Sequence, residues 1–206
     1  MKPIFVDIET SGISKVKNGF WQIGAIDLSN PSNYFLEEGR VDNEDIIEEG
    51  ALKVTGKTEA QLRDQNKQTQ QQLLQNFFDW VLNSNNGVKM KNLASQNPNF
   101  DFGFIDFKSE KYKIRKPFHY RYFDLHSIAQ TVYHSAKGNF LLAKDNDYSC
   151  MDLSHILDFC GIEDKRKQHN ALEDSRLGRE CFSRLIDGKN LFLEYLDSPI
   201  PDYLKK

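Results

Sequence analysis

The chain has 206 residues, of which 39% are hydrophobic and 28% charged, a composition typical of one folded domain with a sizeable core. Its formal net charge of −3 excludes a global basic field, so a polyanionic partner must be held by local basic patches or by metal ions. The three cysteines (Cys150, Cys160 and Cys181) lack metal-ligand spacing and predict reduced thiols. No signal-peptide pattern and no apolar run near the ~20 residues of a membrane span is found, which predicts a cytoplasmic protein without a membrane partner.

Residues 4–8 form an apolar run broken by one acid, which predicts a strand buried on both faces at the centre of a sheet. Asp7 and Glu9 are two residues apart, so on a strand they point to the same side, with Cα atoms about 7 Å apart. Ser11 and Gly12 then end the strand. Paired carboxylates at a buried strand end carry a desolvation cost that a divalent metal ion would offset. The alternative is a pair of acids solvated in a loop.

Four further strands and six helices are predicted along the rest of the chain. The strands lie at 19–28 (with Trp21, Ile23 and Ala25 on one face), from 34 to 36 after a turn at 30–33, at 88–95 after a loop at 83–87, and at 120–123. The helices lie at 57–64, from the Gln-rich run 68–72 to 82, from 98 to 107 with Asn97 as cap, at 124–133, at 153–160 and from 170 to 185. Residues 37–49 and 135–149 are predicted loops. This order predicts an α/β protein whose mixed five-stranded sheet carries helices on both faces.

Residues 108–121 are the most basic segment and interleave Lys and Arg with Tyr112, Phe118 and Tyr120. Such a segment is either a solvated loop or an edge that tracks phosphates.

The segment His169-Asn170-Ala171-Leu172-Glu173-Asp174 opens the last helix. Asn170 with Glu173 three residues later has the form of a capping box. Residues five apart on one helix lie roughly 140° apart, so His169 and Asp174 share a face only if His169 lies outside the helix. The proposed cap puts His169 on the preceding loop, where a mobile imidazole can reach a carboxylate fixed on the helix.

Three motifs now stand in order: Asp7-Ile8-Glu9-Thr10, Asn97-x-x-Phe100-Asp101 and His169-x-Ala171-x-x-Asp174. Together they resemble the exonuclease motifs of the DnaQ-like, or DEDDh, 3′–5′ exonucleases. The resemblance implies a ribonuclease H-like fold, two Mg²⁺ or Mn²⁺ ions, and release of nucleoside 5′-monophosphates from a free 3′-hydroxyl end. It spans Asp7 to Asp174, so we expect one exonuclease domain over 1–206, with a core of about 1–187 and a C-terminal extension of 188–206.

The resemblance also assigns roles to individual residues. Asp7, Glu9, Asp101 and Asp174 match the family's four metal-site carboxylates, and His169 matches its general base. The residues that match positions for binding the terminal nucleotide are Thr10, Ser11, Gly12, Asn97 and Phe100. Gln96 stands where many members have a His, which is a departure from the second motif. The expected partner is single-stranded nucleic acid with a free 3′ end, DNA rather than RNA by a small margin, and a polymerase or a second copy of the chain could accompany it.

Two rival functions compete with this interpretation. Asp7-x-Glu9-Thr10 superficially resembles the Asp-x-Asp-x-Thr strand of haloacid dehalogenase phosphatases, but that family gives no role to His169 and Asp174. A nucleic-acid-binding relative without catalysis is the other rival, and the presence of all four acids and the His argues against it. An exoribonuclease acting on short RNA or RNA 3′ ends remains the alternative within the enzyme interpretation.

Overall fold

The computed structural model describes residues 3–84 and 90–206. The five strands are β1 (Ile4–Thr10), β2 (Phe20–Asp27), β3 (Asn30–Glu38), β4 (Lys91–Ser95) and β5 (Phe118–Asp124). The helices are α1 (Glu49–Thr55), α2 (Glu59–Leu62), α3 (Gln70–Asn83), α4 (Pro98–Tyr112), α5 (Leu125–Lys137), α6 (Leu153–Phe159) and α7 (Ala171–Asp187). Part of the predicted loop at 83–87 and the start of the predicted strand at 88–95 lie outside the described residues.

The strands form one sheet in the order β3-β2-β1-β4-β5, with β1 at its centre. β1 pairs with β2 and β2 with β3 in antiparallel fashion, whereas β4 is parallel to both β1 and β5. Side chains alternate along β1, so Ile4, Val6 and Ile8 enter one core cluster and Phe5 enters another. The predicted central strand, buried on both faces, is confirmed.

Helices cover both faces of the sheet. The first core cluster joins the sheet to the apolar sides of α3 and α4, and the second joins it to α5, α6 and α7. Cys160 and Cys181 are buried in the second cluster as thiols. The predicted mixed α/β sheet with helices on both faces is therefore confirmed.

Helix α7 lies unusually close to β2. A Cβ atom on Gly24 would lie 2.1 Å from the carbonyl carbon of Ala171, so only glycine allows this approach. Ser175 Oγ donates a hydrogen bond to the carbonyl of Gly24 at 2.8 Å, and Gln22 Oε1 accepts one from the backbone amide of Ala171 at 2.8 Å. These contacts fix the first turn of α7 against β2, at residues that pair with the carboxyl-terminal half of β1.

Two local predictions were wrong, and one helix was not predicted. The second and third strands are joined around Leu28 and Ser29, because β3 begins at Asn30. A register shift in β2, opposite Glu9 and Thr10, removes Trp21 from the face that holds Ile23 and Ala25. Trp21 instead packs with Val41 and Leu62 in a separate small cluster. Helix α1 occupies residues that follow the predicted acidic loop, and Gly56 in the left-handed conformation ends it.

The basic segment is only partly a solvated surface. Lys108 is fully buried and pairs with Asp45 at 2.5 Å. Tyr120 is 71% exposed and carries Arg121 over its ring at 5.5 Å, on the edge strand β5. None of the helices in residues 3–84 and 90–206 is long and apolar enough to cross a membrane.

Candidate active site

A cavity of about 440 Å³ opens at the carboxyl end of β1, between α1, the start of α4 and the start of α7. The carboxyl ends of parallel strands are where open α/β sheets usually place a site. The cavity brings together residues from all three sequence motifs. The predicted site residues that line it are Asp7, Glu9, Thr10, Gly12, Asn97, Phe100, Asp101, His169 and Asp174.

The two acids of β1 reach this cavity together. Burial raises the pKa of Asp7 well above its usual value, and the nearby carboxylates of Asp101, Asp174 and Glu9 raise it further. Burial likewise raises the pKa of Glu9 to about 8, with Asp174 as the next cause. Glu9 is 6% exposed, and its Oε1 has no hydrogen-bond partner among the described residues. A bound cation would offset the free-energy cost of burying this unpaired carboxylate oxygen.

Asp101 enters from the first turn of α4, which Pro98 opens directly after β4. Ser95 Oγ, at the end of β4, donates a hydrogen bond to Asp101 Oδ2 at 2.8 Å. Burial raises the pKa of Asp101 to about 7 even though this hydrogen bond favours the ionised form. Asn97 stands at the N-cap position as predicted, but its side chain makes no capping bond and instead faces the cavity.

Asp174 is carried by the first turn of α7. Asn170 caps this helix through its side chain, which accepts hydrogen bonds from the amides of Leu172 and Glu173. His169 precedes the cap and lies outside the helix, and its Nδ1 is 3.2 Å from Asp174 Oδ2. The side chain of His169 is 48% exposed, whereas that of Asp174 is 5% exposed. The hydrogen bond to Asp174 raises the pKa of His169.

Arg166 completes the wall of the cavity and was not among the predicted site residues. Its Nη1 donates to Asp174 Oδ1 at 3.1 Å. Asp174 therefore has one oxygen facing Arg166 and the other facing His169. The lining also includes Ile8 of the first motif and Gln96 next to the second, together with residues that the sequence did not indicate: Ile13, Glu48, Gly50, Ala51, Val54, Thr55, Asp152 and Leu153.

Ser11 differs from the other residues of the predicted nucleotide-binding segment in its position. It is fully buried and is absent from the residues that line the cavity. Its amide donates to the carbonyl of Gly19 at 2.7 Å, its carbonyl accepts from Glu48, and its hydroxyl donates to Ile46. Since these groups are already engaged, Ser11 shapes the loop beneath the site and has no free group for a ligand.

The donor set fits divalent cations. Glu9, His169 and Asp174 each offer one ligand atom, and these three atoms lie within 4.8 Å of one another. Asp7 and Asp101 add carboxylates to the same cavity. Carboxylate oxygens suit Mg²⁺ and Mn²⁺, and cations would relieve the repulsion that now raises the pKa values of Asp7 and Glu9.

No protein-family model and no curated protein matches the sequence. Solved structures do match the fold. The cell-death related nuclease 4 (CRN-4) gives a TM-score of 0.70 at 13% identity, over 92% of this chain and 64% of that chain. The nuclease domain of 3′hExo, described as a DEDDh family member bound to rAMP, gives 0.66 at 15% identity, over 97% and 95%.

Exonuclease I in its apo form gives a TM-score of 0.66 at 17% identity, over 92% of this chain and 43% of that chain. The chain thus spans less than two thirds of the length of CRN-4 and of exonuclease I. At these identities the matches establish the fold alone: a ribonuclease H-like mixed five-stranded α/β sheet, shared with these nuclease structures.

Proposed function

We propose that this chain is a metal-dependent 3′–5′ exonuclease that releases nucleoside 5′-monophosphates from single-stranded DNA with a free 3′-hydroxyl. The observation that carries the proposal is the convergence of Asp7, Glu9, Asp101, Asp174 and His169 in one cavity. These residues come from β1, α4 and the start of α7, so their meeting is a product of the fold. These five residues are the ones that the sequence resemblance assigns to the metal site and to the general base.

The four acids would hold two Mg²⁺ or Mn²⁺ ions. Such ions supply positive charge to the phosphoryl oxygens and lower the pKa of bound water. The acidic chain can then accept a polyanion at this site despite its net charge of −3.

His169 is the proposed general base. It lies on the loop before α7 and is about half exposed, so its imidazole is free to turn towards an attacking water. A general base acts when neutral, and the contact with Asp174 raises the pKa of His169. The rate should therefore fall as the pH drops through a pKa above the ordinary value of about 6.5.

The remaining lining residues form the proposed nucleotide pocket. Phe100 packs against Phe104 with ring centroids 5.2 Å apart and also faces the cavity, which gives the pocket an aromatic wall. Thr10 Oγ1 donates to the carbonyl of Gly12 at 2.8 Å, which fixes the loop after β1. A Cβ at Gly12 would lie 2.4 Å from Asn18 Nδ2, so a larger residue here would displace the side chain of Asn18. Residues 1–206 are proposed to act as one exonuclease domain.

The structures that share this fold concern DNA in one case and RNA in another, so they do not choose between DNA and RNA as the substrate of this chain. One structure of E. coli exonuclease I is a complex with a dT13 oligonucleotide, and another similar structure concerns recognition of a histone mRNA stem-loop by a 3′-exonuclease. RNA 3′ ends are accordingly the second candidate substrate. A cytoplasmic location is proposed from the sequence alone, and the sequence leaves open whether a polymerase or a second copy of the chain is a partner.

The test is a cleavage assay on matched 5′-labelled DNA and RNA oligonucleotides with Mg²⁺, Mn²⁺ or chelator. We expect a ladder that shortens by one nucleotide at a time from the 3′ end, a block by a 3′-phosphate, and no activity in chelator. Asp7→Asn should abolish the ladder, and Asp106→Asn is the matched control, since Asp106 pairs with Lys116 outside the cavity at 2.6 Å. Internal cuts in circular single strands, or full activity in chelator, would contradict the proposal. Faster cleavage of RNA than of DNA would select the second substrate.

A further inference from the structure

Arg166 is the one permanently charged cation among the described residues that line the cavity. Its side chain is 8% exposed, and its Nη1 contacts Asp174 Oδ1. A cation in contact with a proposed metal ligand must affect how strongly that ligand attracts a divalent ion.

The guanidinium is held in place from behind. Asp164 accepts from Arg166 through both carboxylate oxygens, Nε to Oδ1 at 2.9 Å and Nη2 to Oδ2 at 2.7 Å. Ser154 Oγ accepts from Nη2 at 2.9 Å and itself donates to Asp164 Oδ2 at 2.8 Å. Such a bidentate pair is geometrically specific and fixes the direction of the remaining Nη1–H donor.

The two contacts of Asp174 therefore differ in kind. Arg166 is clamped by Asp164 and Ser154, whereas His169 is half exposed and lies on the loop before α7. The contact between Asp174 Oδ1 and Arg166 is therefore fixed. The contact between Asp174 Oδ2 and His169 is the one that another cation can replace. Arg166 thus orients Asp174 for an incoming ion while its charge opposes that ion, and the carboxylate of Asp164 offsets part of this opposition.

We propose that the Asp164–Arg166 pair is a positioning device that sets the divalent-ion affinity of this site. The inference rests on the proposed function for the identity of the ions as Mg²⁺ or Mn²⁺. It assigns opposite effects to the two members of one ion pair. Removing the positive charge of Arg166 strengthens ion binding, and removing the negative charge of Asp164 weakens it. A purely structural ion pair behaves differently, because breaking it from either side loosens the same loop.

The experiment is calorimetric titration of the full chain with Mn²⁺ alone, without nucleic acid, at one neutral pH. We expect Arg166→Gln to bind Mn²⁺ about tenfold more tightly than wild type, a change of about 1.4 kcal/mol, and Asp164→Asn to bind about tenfold more weakly. The double variant should lie between the two. Arg166→Lys keeps the charge and should return the affinity to within a few-fold of wild type.

Glu163 and Lys165 provide matched controls, because they flank Asp164 and form an exposed ion pair with 77% and 78% exposed side chains. Glu163→Gln and Lys165→Gln delete the same charges at the surface and should shift the affinity little. Circular dichroism and melting in chelator show whether each variant is folded. Shifts of Arg166→Gln and Asp164→Asn in the same direction, shifts no larger than those of the controls, or Arg166→Lys binding as tightly as Arg166→Gln would overturn the inference.

The outcome is separable from that of the proposed function. A wild-type protein that binds Mn²⁺ with the opposite shifts but shortens no oligonucleotide would support the role of Arg166 and refute the exonuclease proposal. An active exonuclease without the opposite shifts would refute the role of Arg166 alone. A wild-type protein that binds no Mn²⁺ would refute both.

Discussion

Replacing Glu9 with Gln should stabilise the metal-free protein at pH 8. Glu9 is buried, its Oε1 has no hydrogen-bond partner in the part of the chain that the structure describes, and burial raises its pKa from 4.5 to about 8. Between these two values the unfolded chain has lost the proton that the folded protein still binds. Stability therefore falls as the pH rises through this window, because the unfolded state binds fewer protons. Gln has a similar shape and cannot titrate, so the variant avoids this loss.

The magnitude follows from the shift. One pKa unit corresponds to 1.36 kcal/mol, so a rise from 4.5 to about 8 amounts to roughly 4 kcal/mol when the linkage is integrated up to pH 8. At pH 5 the same integration gives about 1 kcal/mol or less. For a domain of 206 residues, roughly 4 kcal/mol corresponds to a rise in Tm of about 8–16 °C.

Urea unfolding in chelator, at pH 5 and at pH 8, measures this gain for Glu9→Gln against wild type. Glu163→Gln is the control, because Glu163 is an exposed acid whose loss should change little. Saturating Mg²⁺ should stabilise wild type far more than Glu9→Gln, since the ion supplies a positive charge that compensates the Glu9 carboxylate and the neutral amide of Gln gains little from it. A variant that is less stable than wild type in chelator at pH 8, or equally stabilised at both pH values, would refute the reasoning.

Three further predictions concern activity and packing. Asp101→Ala should remove most nuclease activity and Asp106→Ala little, as measured by oligonucleotide shortening; the reverse result would shift the second motif. His169→Ala should lower the rate about 10²–10⁴-fold and flatten the acid limb of the pH–rate profile while Mn²⁺ binding persists, and a variant as fast as wild type at every pH would end its assignment as base. Gly24→Ala should destabilise the protein by about 1–3 kcal/mol in urea unfolding and weaken Mn²⁺ binding, because the added Cβ pushes against the backbone of Ala171; unchanged stability would show that α7 can move away freely.

The central strand and the order of the motifs could be predicted because they depend on local patterns. The apolar run around Asp7 has one favourable arrangement, a strand buried on both faces, and the cap at Asn170 places His169 outside the helix by helical geometry alone. The side-by-side placement of β1, α4 and α7 needed the resemblance, because periodicity does not say which elements meet.

Residues of the cavity wall escaped prediction for physical reasons. Arg166 lies within the run Lys165-Arg166-Lys167, where three like charges look equally solvated in the sequence. Only the fold shows that Asp164 and Ser154 turn the middle one inwards. Helix α1 has seven residues, too few for a clear helical period, and Gly50 in its first turn lowers its intrinsic helix propensity.

Trp21 and Ser11 illustrate two local features that the sequence pattern did not reveal. The alternation along β2 holds only while the register holds, and the shift opposite Glu9 and Thr10 turns Trp21 away from the face of Ile23. Ser11 belongs to a matching motif by position, yet its amide is already used by the carbonyl of Gly19. Neither effect can be derived from residue types alone.

The acids of the cavity differ in how much the protein itself does to hold their charge. Asp101 receives a hydrogen bond from Ser95, and Asp174 receives one from Arg166. Among the described residues, Glu9 Oε1 receives no hydrogen bond, although Glu9 is only 6% exposed. Because an uncompensated buried carboxylate is the most costly of these three, a bound cation relieves a larger cost at Glu9 than at Asp101 or Asp174. The stabilisation expected for Glu9→Gln in chelator thus measures the free-energy cost of burying the Glu9 carboxylate without a compensating cation.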